Sequence, residues 1–358
     1  MKRFLCVIFC LLLPLAASAE TQIVTLTVTG DFLPGSNQLV STQDYAFQRY
    51  IEQFGWGYPF EGIRQLTEND DITLVNLECV LYEPPQPKYA RNVFTGPPEY
   101  ARILAENSVE IVNLANNHIA DYDKAGYRST IAALEAEGIR YCGDTIYGRD
   151  LCWFDFADDV RIGFIGVLPL YYVDHPHRVQ QDFRALRDAG CDVIIASLHC
   201  GQEKHPYHTD IQEKYRRICM ENGAHIIVGH HPHVPQGVHV QDGVTQLYSL
   251  GNFSFGGNTG VDEYLYSPAA LVAQIALHFD DGQYTGHQVT LWPIRITGAE
   301  AGSGRDGGRR NDYQPVMLDG ADAQAVMQLV QNDTAFPLVP YEDGLGAVQE
   351  FVPWTGQS

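Results

Sequence analysis

An α/β fold of two packed, mixed β-sheets flanked by helices is predicted by three observations. Between residues 70 and 230, apolar runs alternate with helical patterns, which argues for mainly parallel strands covered by helices. From Thr245 onward, strand patterns follow one another without helices between them, which argues for a second, antiparallel-rich sheet. The chain has 358 residues, 45% of them hydrophobic and 19% charged. That is enough for one large α/β core and unlike the composition of a disordered chain.

The elements follow in order. Val24–Val28 is the first apolar run and leads to Gly30-Asp31. Ile72–Val75 leads into Asn76-Leu77-Glu78, and Val109–Val112 into Asn116-Asn117-His118. Tyr127, Ile131 and Leu134 recur at helical spacing, and Gly138 stops that helix. Arg161–Val167 is a strand, and Ile194–Leu198 is another that ends in His199. Thr209 with Gln212 forms a capping box for a helix carrying Ile211, Tyr215, Ile218 and Cys219 on one face, closed by Gly223. Ile226–Val228 runs into Gly229-His230-His231-Pro232-His233. Thr245–Leu250, Ala269–Phe279, Gln288–Ile296 and Gln314–Leu318 read as strands. Gly302–Arg310 is a flexible surface loop by composition, Ala321–Gln331 a short final helix, and the tail after Pro337 is loop-like. With no repeat or low-complexity linker, residues 20–358 are predicted to be a single domain, its C-terminal part 260–340 completing the sheets.

Residues 1–19 read as a secretory signal peptide: Lys2-Arg3, the apolar stretch Phe4–Leu15, and Ala17-Ser18-Ala19 before Glu20. The apolar run is short for a membrane span, so cleavage is predicted over anchoring by an uncleaved segment. Cys6 and Cys10 form no lipobox-like end. The expected location is the cell surface or the outside, periplasmic in a Gram-negative cell. Cys79, Cys142, Cys152, Cys191, Cys200 and Cys219 are predicted to be mostly buried thiols, with Cys142–Cys152 the first disulfide to test. The net charge of −21 argues against nucleic acid as a partner.

Five apolar runs deliver acid/base or metal-type side chains at their C-terminal ends, the edge where open α/β sheets place their sites. The set is Asp31, Glu78, Asn117, His118, His199, His231 and His233. Carboxylate, amide and imidazole ligands together suit one or two divalent ions of the Mn, Zn or Fe type, and a carboxylate is able to bridge a pair. Such a centre lowers the pKa of a bound water and clamps a negative oxygen. No nucleophile motif of the Gly-x-Ser-x-Gly kind competes, nor any glycine-rich phosphate loop.

Gly30-Asp31-Phe32, Asn76-Leu77-Glu78, Ala115-Asn116-Asn117-His118 through Asp121, His199-Cys200-Gly201-Gln202-Glu203, Gly229–His233 and Tyr248-Ser249-Leu250-Gly251-Asn252-Phe253 stand in that order over residues 24–255. In wording and order they resemble the bacterial poly-γ-glutamate capsule-synthesis family (CapA-type), which is related in fold to calcineurin-like metallophosphoesterases. The resemblance implies a metallophosphoesterase-like sandwich. It implies Asp31 as the first metal aspartate, Glu78 in the bridging position, Asn117 as the amide ligand, and His199, His231 and His233 as imidazole ligands. It implies His118 as general acid to the leaving group. Leu33 stands where the phosphoesterases have a histidine, so a one-ion site is an open alternative. Asp123 and Cys200 replace a usual glycine and tryptophan without removing a ligand.

Asn76, Asn116, Asp121, Glu203, His230, Ser249 and Asn252 are expected to support the ligands or to bind substrate. Arg91 is a candidate carboxylate clamp. His175, His177, His205 and His208 read as surface residues, and Tyr171-Tyr172 as packing. The function expected from the resemblance is an exported, metal-dependent hydrolase-like protein of poly-γ-glutamate capsule biosynthesis or processing. The alternatives are an extracellular metallophosphoesterase on small phosphoesters, or a non-catalytic accessory subunit that binds polymer or a membrane synthase. The substrate is then an anionic polymer or a small phosphoester.

Overall fold

The computed structural model describes residues 21–172, 177–257, 268–304 and 307–356. The signal-peptide segment, His175, and the side chains of Tyr171 and Tyr172 fall outside that description. Two mixed sheets, flanked by helices, form the fold that the strand–helix alternation predicts.

The larger sheet is built on β1 (Thr21–Leu33), β2 (Ile72–Leu77), β3 (Ile111–Asn113) and β4 (Arg140–Asp144), all parallel. β2 and β3 are wholly buried, as central strands of a parallel sheet covered on both sides require. The smaller sheet has β5 (Cys152–Asp155), β6 (Arg161–Val167), β7 (Val193–His199), β8 (Ile226–His230), β9 (Val238–Gln241) and β10 (Val244–Leu247), in the order β9-β10-β8-β7-β6-β5. β6, β7, β8 and β10 run parallel. β11 (Asn252–Phe255) returns to the larger sheet and pairs with the end of β1, Asp31 opposite Asn252.

The C-terminal strands depart from the reading of a separate antiparallel sheet. β12 (Ala269–Asp280) and β13 (Gln283–Arg295) form a long antiparallel hairpin, but β12 pairs with β1 over Thr21–Val28 and so extends the larger sheet. The predicted strand at Gln314–Leu318 shrinks to Val316–Met317. The tail is not all loop: Ala347–Val348 and Val352–Pro353 pair with β13, closing an edge that would otherwise be bare.

Helices α1 (Phe47–Phe54), α2 (Asp123–Ala136), α3 (Arg178–Asp188), α4 (Asp210–Glu221) and α5 (Gly320–Asn332) cover the sheets. At the start of α4, Gln212 Oε1 accepts the Thr209 N–H at 2.9 Å, as the capping pattern predicts. The buried face of α4 is turned from the one expected: Tyr215, Arg216, Cys219 and Met220 face inward, while Ile211 is 39% exposed. Among the described residues, no helix is long and apolar enough to cross a membrane. Cys79, Cys142, Cys152, Cys191, Cys200 and Cys219 are free thiols, so Cys142–Cys152 is not a disulfide.

Where β1 and β2 meet, Asp70 Oδ2 accepts the Thr27 N–H and the Thr73 hydroxyl, and Glu110 Oε2 accepts the Thr73 N–H at 2.7 Å. Burial pushes the Glu110 carboxyl up to about 7, with the Asp70 charge adding to it, and burial pushes Asp70 up to about 6. A carboxyl raised in the folded state holds a proton that the unfolded chain has released, so folding loses stability as pH rises from about 4.5 to 7. Glu110→Gln keeps the acceptor for Thr73 and removes the charge. Its melting temperature is expected to exceed wild type at pH 8 and to match it near pH 4.5. A gap that stays constant with pH would show that the carboxylate is not the cause.

Candidate metal centre

The two sheets bring their strand ends face to face, and the candidate residues divide between them. Asp31, Glu78 and Asn117 come from the ends of β1, β2 and the loop after β3; His199, His231 and His233 come from the ends of β7 and β8. Close backbone approach makes this seam. A Cβ on Gly30 would lie 2.1 Å from Gly251 O, and one on Gly229 would lie 1.9 Å from Tyr248 O. Only glycine lets the Tyr248–Asn252 turn sit against both strand ends. Ser249 Oγ accepts the Gly251 N–H at 3.1 Å, so Ser249 shapes that turn.

Asp31 is fully buried. Its Oδ1 accepts from Asn76 Nδ2 at 2.8 Å, and its Oδ2 accepts the His231 backbone N–H at 3.2 Å. His233 Nδ1 lies 3.1 Å from Oδ2, and His230 Nδ1 lies 3.3 Å from Oδ1. His231 and His233 sit in the left-handed region, with φ of 94° and 59°. That sharp turn after β8 is what aims two imidazoles, two residues apart, at the same place.

Glu78 is also fully buried, and neither of its carboxylate oxygens has a hydrogen-bond partner. Around Oε1 stand three imidazole Nε2 atoms: His199 at 3.7 Å, His233 at 3.8 Å and His118 at 4.0 Å. Ligand atoms of Glu78, His231 and His233 lie within 4.8 Å of one another, and so do those of Asp31, Glu78 and His199. Glu78 belongs to both groups, which is the position of a bridging carboxylate. Asn117 Oδ1 is 2.7 Å from His199 Nε2. Donors about 2 Å from one centre fall at such mutual distances.

The electrostatics fit the same centre. Burial lifts the Glu78 carboxyl well above the carboxylate range, and the Asp31 charge lifts it further. Burial would raise Asp31 too, but His230 and His233 outweigh it and hold that carboxyl well below its usual value. Burial, then the neighbouring His231, holds His199 well below the usual imidazole range. Burial works against a charged His233, yet Glu78 and Asp31 push it up to about 10. Two buried carboxylates thus draw protons onto the cluster in place of positive charge. A divalent cation fits the residues present: it would satisfy both orphaned Glu78 oxygens and the unpartnered, buried Nδ1 of His231.

At the mouth, His118 Nδ1 is 2.9 Å from Asp121 Oδ2, which also accepts the Phe94 N–H at 2.7 Å. Asp121 fixes the ring and leaves Nε2 facing Glu78. Asn116 caps this turn, its side chain accepting the His118 N–H. His230 is fully buried beside Asp31, and Asn252 Oδ1 is 2.9 Å from His233 Nδ1. Glu203 is exposed, but its charge acts on Glu78, His231 and His233. Arg91 is exposed, and only its backbone carbonyl is engaged, by Asn37 Nδ2 at 3.1 Å. His177 is exposed and His205 half-buried. His208 is no free surface residue: it stacks on Tyr248 and pairs with Asp333 Oδ1 at 2.8 Å.

Three neighbours escaped the sequence reading. Phe94 packs edge-on against His118 and Phe255 against His233, forming apolar walls. Asn113 donates to Asn76 Oδ1 at 2.9 Å. Its one sequence signal is that it ends an apolar run in an asparagine, as Asn76 does.

Comparison with known proteins places the chain in a family. A curated capsule biosynthesis protein CapA of Bacillus anthracis is 26% identical over 258 residues, 66% of this chain and 61% of that protein. A PGA biosynthesis protein CapA of Bacillus subtilis (strain 168) is 29% identical over 177 residues, 44% of this chain and 45% of that protein. The chain thus spans about three fifths of the first relative's length and under half of the second's. The crystal structure of TT1561 of Thermus thermophilus aligns over 70% of this chain and 94% of its own at 11% identity. Its TM-score of 0.37 is too low to carry an argument. The family model for the bacterial capsule synthesis protein PGA_cap matches residues 25–257, which hold every candidate ligand, and the chain belongs to that family.

Proposed function

We propose that the chain is a metal-dependent hydrolase of poly-γ-glutamate capsule biosynthesis or processing, working at the cell surface. The observation that carries this reading is Glu78 Oε1, buried, unpartnered and ringed by three imidazole nitrogens beneath the His118–Asp121 pair. A divalent cation held by Asp31, Glu78, Asn117, His199, His231 and His233 would supply a Lewis acid for an anionic substrate oxygen.

The chain's own residues do the rest. With Nδ1 turned to Asp121, His118 exchanges its proton at Nε2, the atom that faces the site, and the Asp121 carboxylate stabilises the imidazolium. Phe94 and Phe255 keep water from the two imidazoles they cover. Arg91, exposed three residues before Phe94, would offer its guanidinium to a polymer carboxylate.

One observation favours the accessory-subunit reading. Leu33 is fully buried, paired with Phe255 in register, and offers no ligand where the phosphoesterases have one. The test incubates Mn-, Zn- or Fe-loaded protein with poly-γ-glutamate and, separately, with a generic phosphomonoester. Metal-dependent shortening of the polymer is the expected result. Turnover of the phosphomonoester alone would move the answer to a phosphoesterase. Activity on neither, with polymer still bound, would replace the hydrolase with an accessory subunit.

A further inference from the structure

Asn113, the last residue of β3, touches none of the candidate ligands, yet it decides how one of their supports is turned. Its own amide is pinned by the main chain: the Ala115 N–H donates to Oδ1 at 3.1 Å, so Nδ2 is the end that donates to Asn76 Oδ1 at 2.9 Å. Asn116 is pinned in the same way. Its Oδ1 accepts the His118 N–H at 3.1 Å, and its Nδ2 donates to Leu77 O at 2.8 Å and reaches Asn76 Oδ1 at 3.3 Å. With two amino groups on its oxygen, Asn76 has only its own Nδ2 to offer Asp31, and it donates there at 2.8 Å. Asn113, Asn76 and Asp31 are all fully buried, so bulk solvent does not reach them to satisfy a reversed amide. The smaller sheet makes room for this chain of amides: a Cβ on Gly166 of β6 would lie 2.2 Å from Asn113 Oδ1.

We propose that Asn113 is a positioning residue of the metal centre: by holding Asn76 Oδ1 it turns Asn76 Nδ2 onto Asp31 and fixes that carboxylate for the cation. This rests on the metal-centre reading of the proposed function. Partners that orient a ligating side chain typically change metal affinity about 10- to 100-fold when lost.

The test uses the full chain as wild type, Asn113→Asp and Asn113→Ala at pH 8. Mn²⁺ affinity is measured by chelator competition, and urea midpoints are taken on metal-free protein. The Asn76 side-chain NH₂ signals are followed by NMR, assigned by their loss in Asn76→Ser. Ionised aspartate has no proton to give Asn76 and draws its NH₂ away from Asp31. The expected result for Asn113→Asp is Mn²⁺ binding weaker by about 10- to 100-fold and displaced Asn76 signals, with a urea midpoint at pH 8 lowered by the buried charge. On charge alone, an added carboxylate beside a cation would tighten binding, so the expected change runs against that simpler effect. Asn113→Ala leaves the Asn116 amino group on Asn76 without adding a charge, and is expected to lose less Mn²⁺ affinity than Asn113→Asp. It also carries the comparison with wild type if the aspartate variant does not fold. Unchanged Mn²⁺ affinity in a folded Asn113→Asp would overturn the proposal, as would lost affinity with the Asn76 signals unmoved. If wild type takes up none of Mn²⁺, Zn²⁺ and Fe²⁺, the metal-centre reading is what fails. The Asn76 signals then judge the amide chain by themselves, and signals unmoved in Asn113→Asp would refute it.

Discussion

Replacing Glu78 by glutamine is expected to abolish cation binding and, in the metal-free protein, to raise stability. Both follow from one fact: a fully buried carboxylate with neither oxygen hydrogen-bonded. With a cation present, Glu78 is the one residue shared by both groups of converging ligand atoms. Its loss is expected to exceed the roughly 10- to 100-fold that a supporting residue commands. Without a cation, the same carboxylate is a buried charge beside Asp31, and its pKa is raised well above the usual value by burial and by that neighbour. A raised carboxyl withdraws stability as pH climbs from about 4.5, so the gain in Glu78→Gln should be on the order of 1–2 kcal/mol at pH 8 and vanish near pH 4. Urea unfolding of chelated protein at the two pH values, with elemental analysis of unchelated protein, checks both halves. A variant that keeps its metal, or one that is less stable when metal-free at pH 8, would remove Glu78 from the centre.

His118→Ala should separate chemistry from binding. His118 stands 4.0 Å from Glu78 Oε1, at the mouth, and belongs to neither group of converging ligand atoms. The alanine variant should therefore keep its full complement of metal while turnover falls about 10²- to 10⁴-fold, the usual reach of a positioned general acid. Asp121→Asn should fall between the two, because an amide still bonds the ring but no longer stabilises its charged form. Single-turnover rates paired with metal content on the same preparations decide it. Metal lost in step with activity would make His118 a ligand, and undiminished turnover would deny it any catalytic part.

The candidate ligands were legible because each follows an apolar run closely enough for the strand end to fix its position. Asp31, Glu78, His199, His231 and His233 all came out at one seam on that logic. What could not be read was that the runs divide between two sheets, the first three in the larger and His199 and His231–His233 from the smaller. Apolar periodicity says that a strand is buried, but not which neighbour it pairs with. The hairpin β12–β13 shows the same limit: its antiparallel character was readable, while its attachment to β1 depends on register across some 250 residues. Ile211 faced the wrong way because the helix buries Gln212 and Arg216, whose polar ends find partners in Gln236, Tyr248 and Gln241. Phe94 and Phe255 were missed since nothing local distinguishes a wall from ordinary core, and Asn113 since an asparagine ending an apolar run does not say which side chain it will meet.

Because the candidate donors come half from one sheet and half from the other, a cation at the seam would act as a rivet between two sheets built from different stretches of the chain. The donor set does not exist until both have docked, so the cation rewards the assembled state alone. Mass action then makes resistance to unfolding a function of free metal, adding about 2.7 kcal/mol at a hundred times the dissociation constant. Strong chelators should therefore loosen the junction before either sheet melts, with amides of the His230–His233 turn and the Gly30–Gly251 contact first to exchange with solvent. A cation bound there would tie the firmness of that junction to metal supply, at the place where the proposed chemistry would occur.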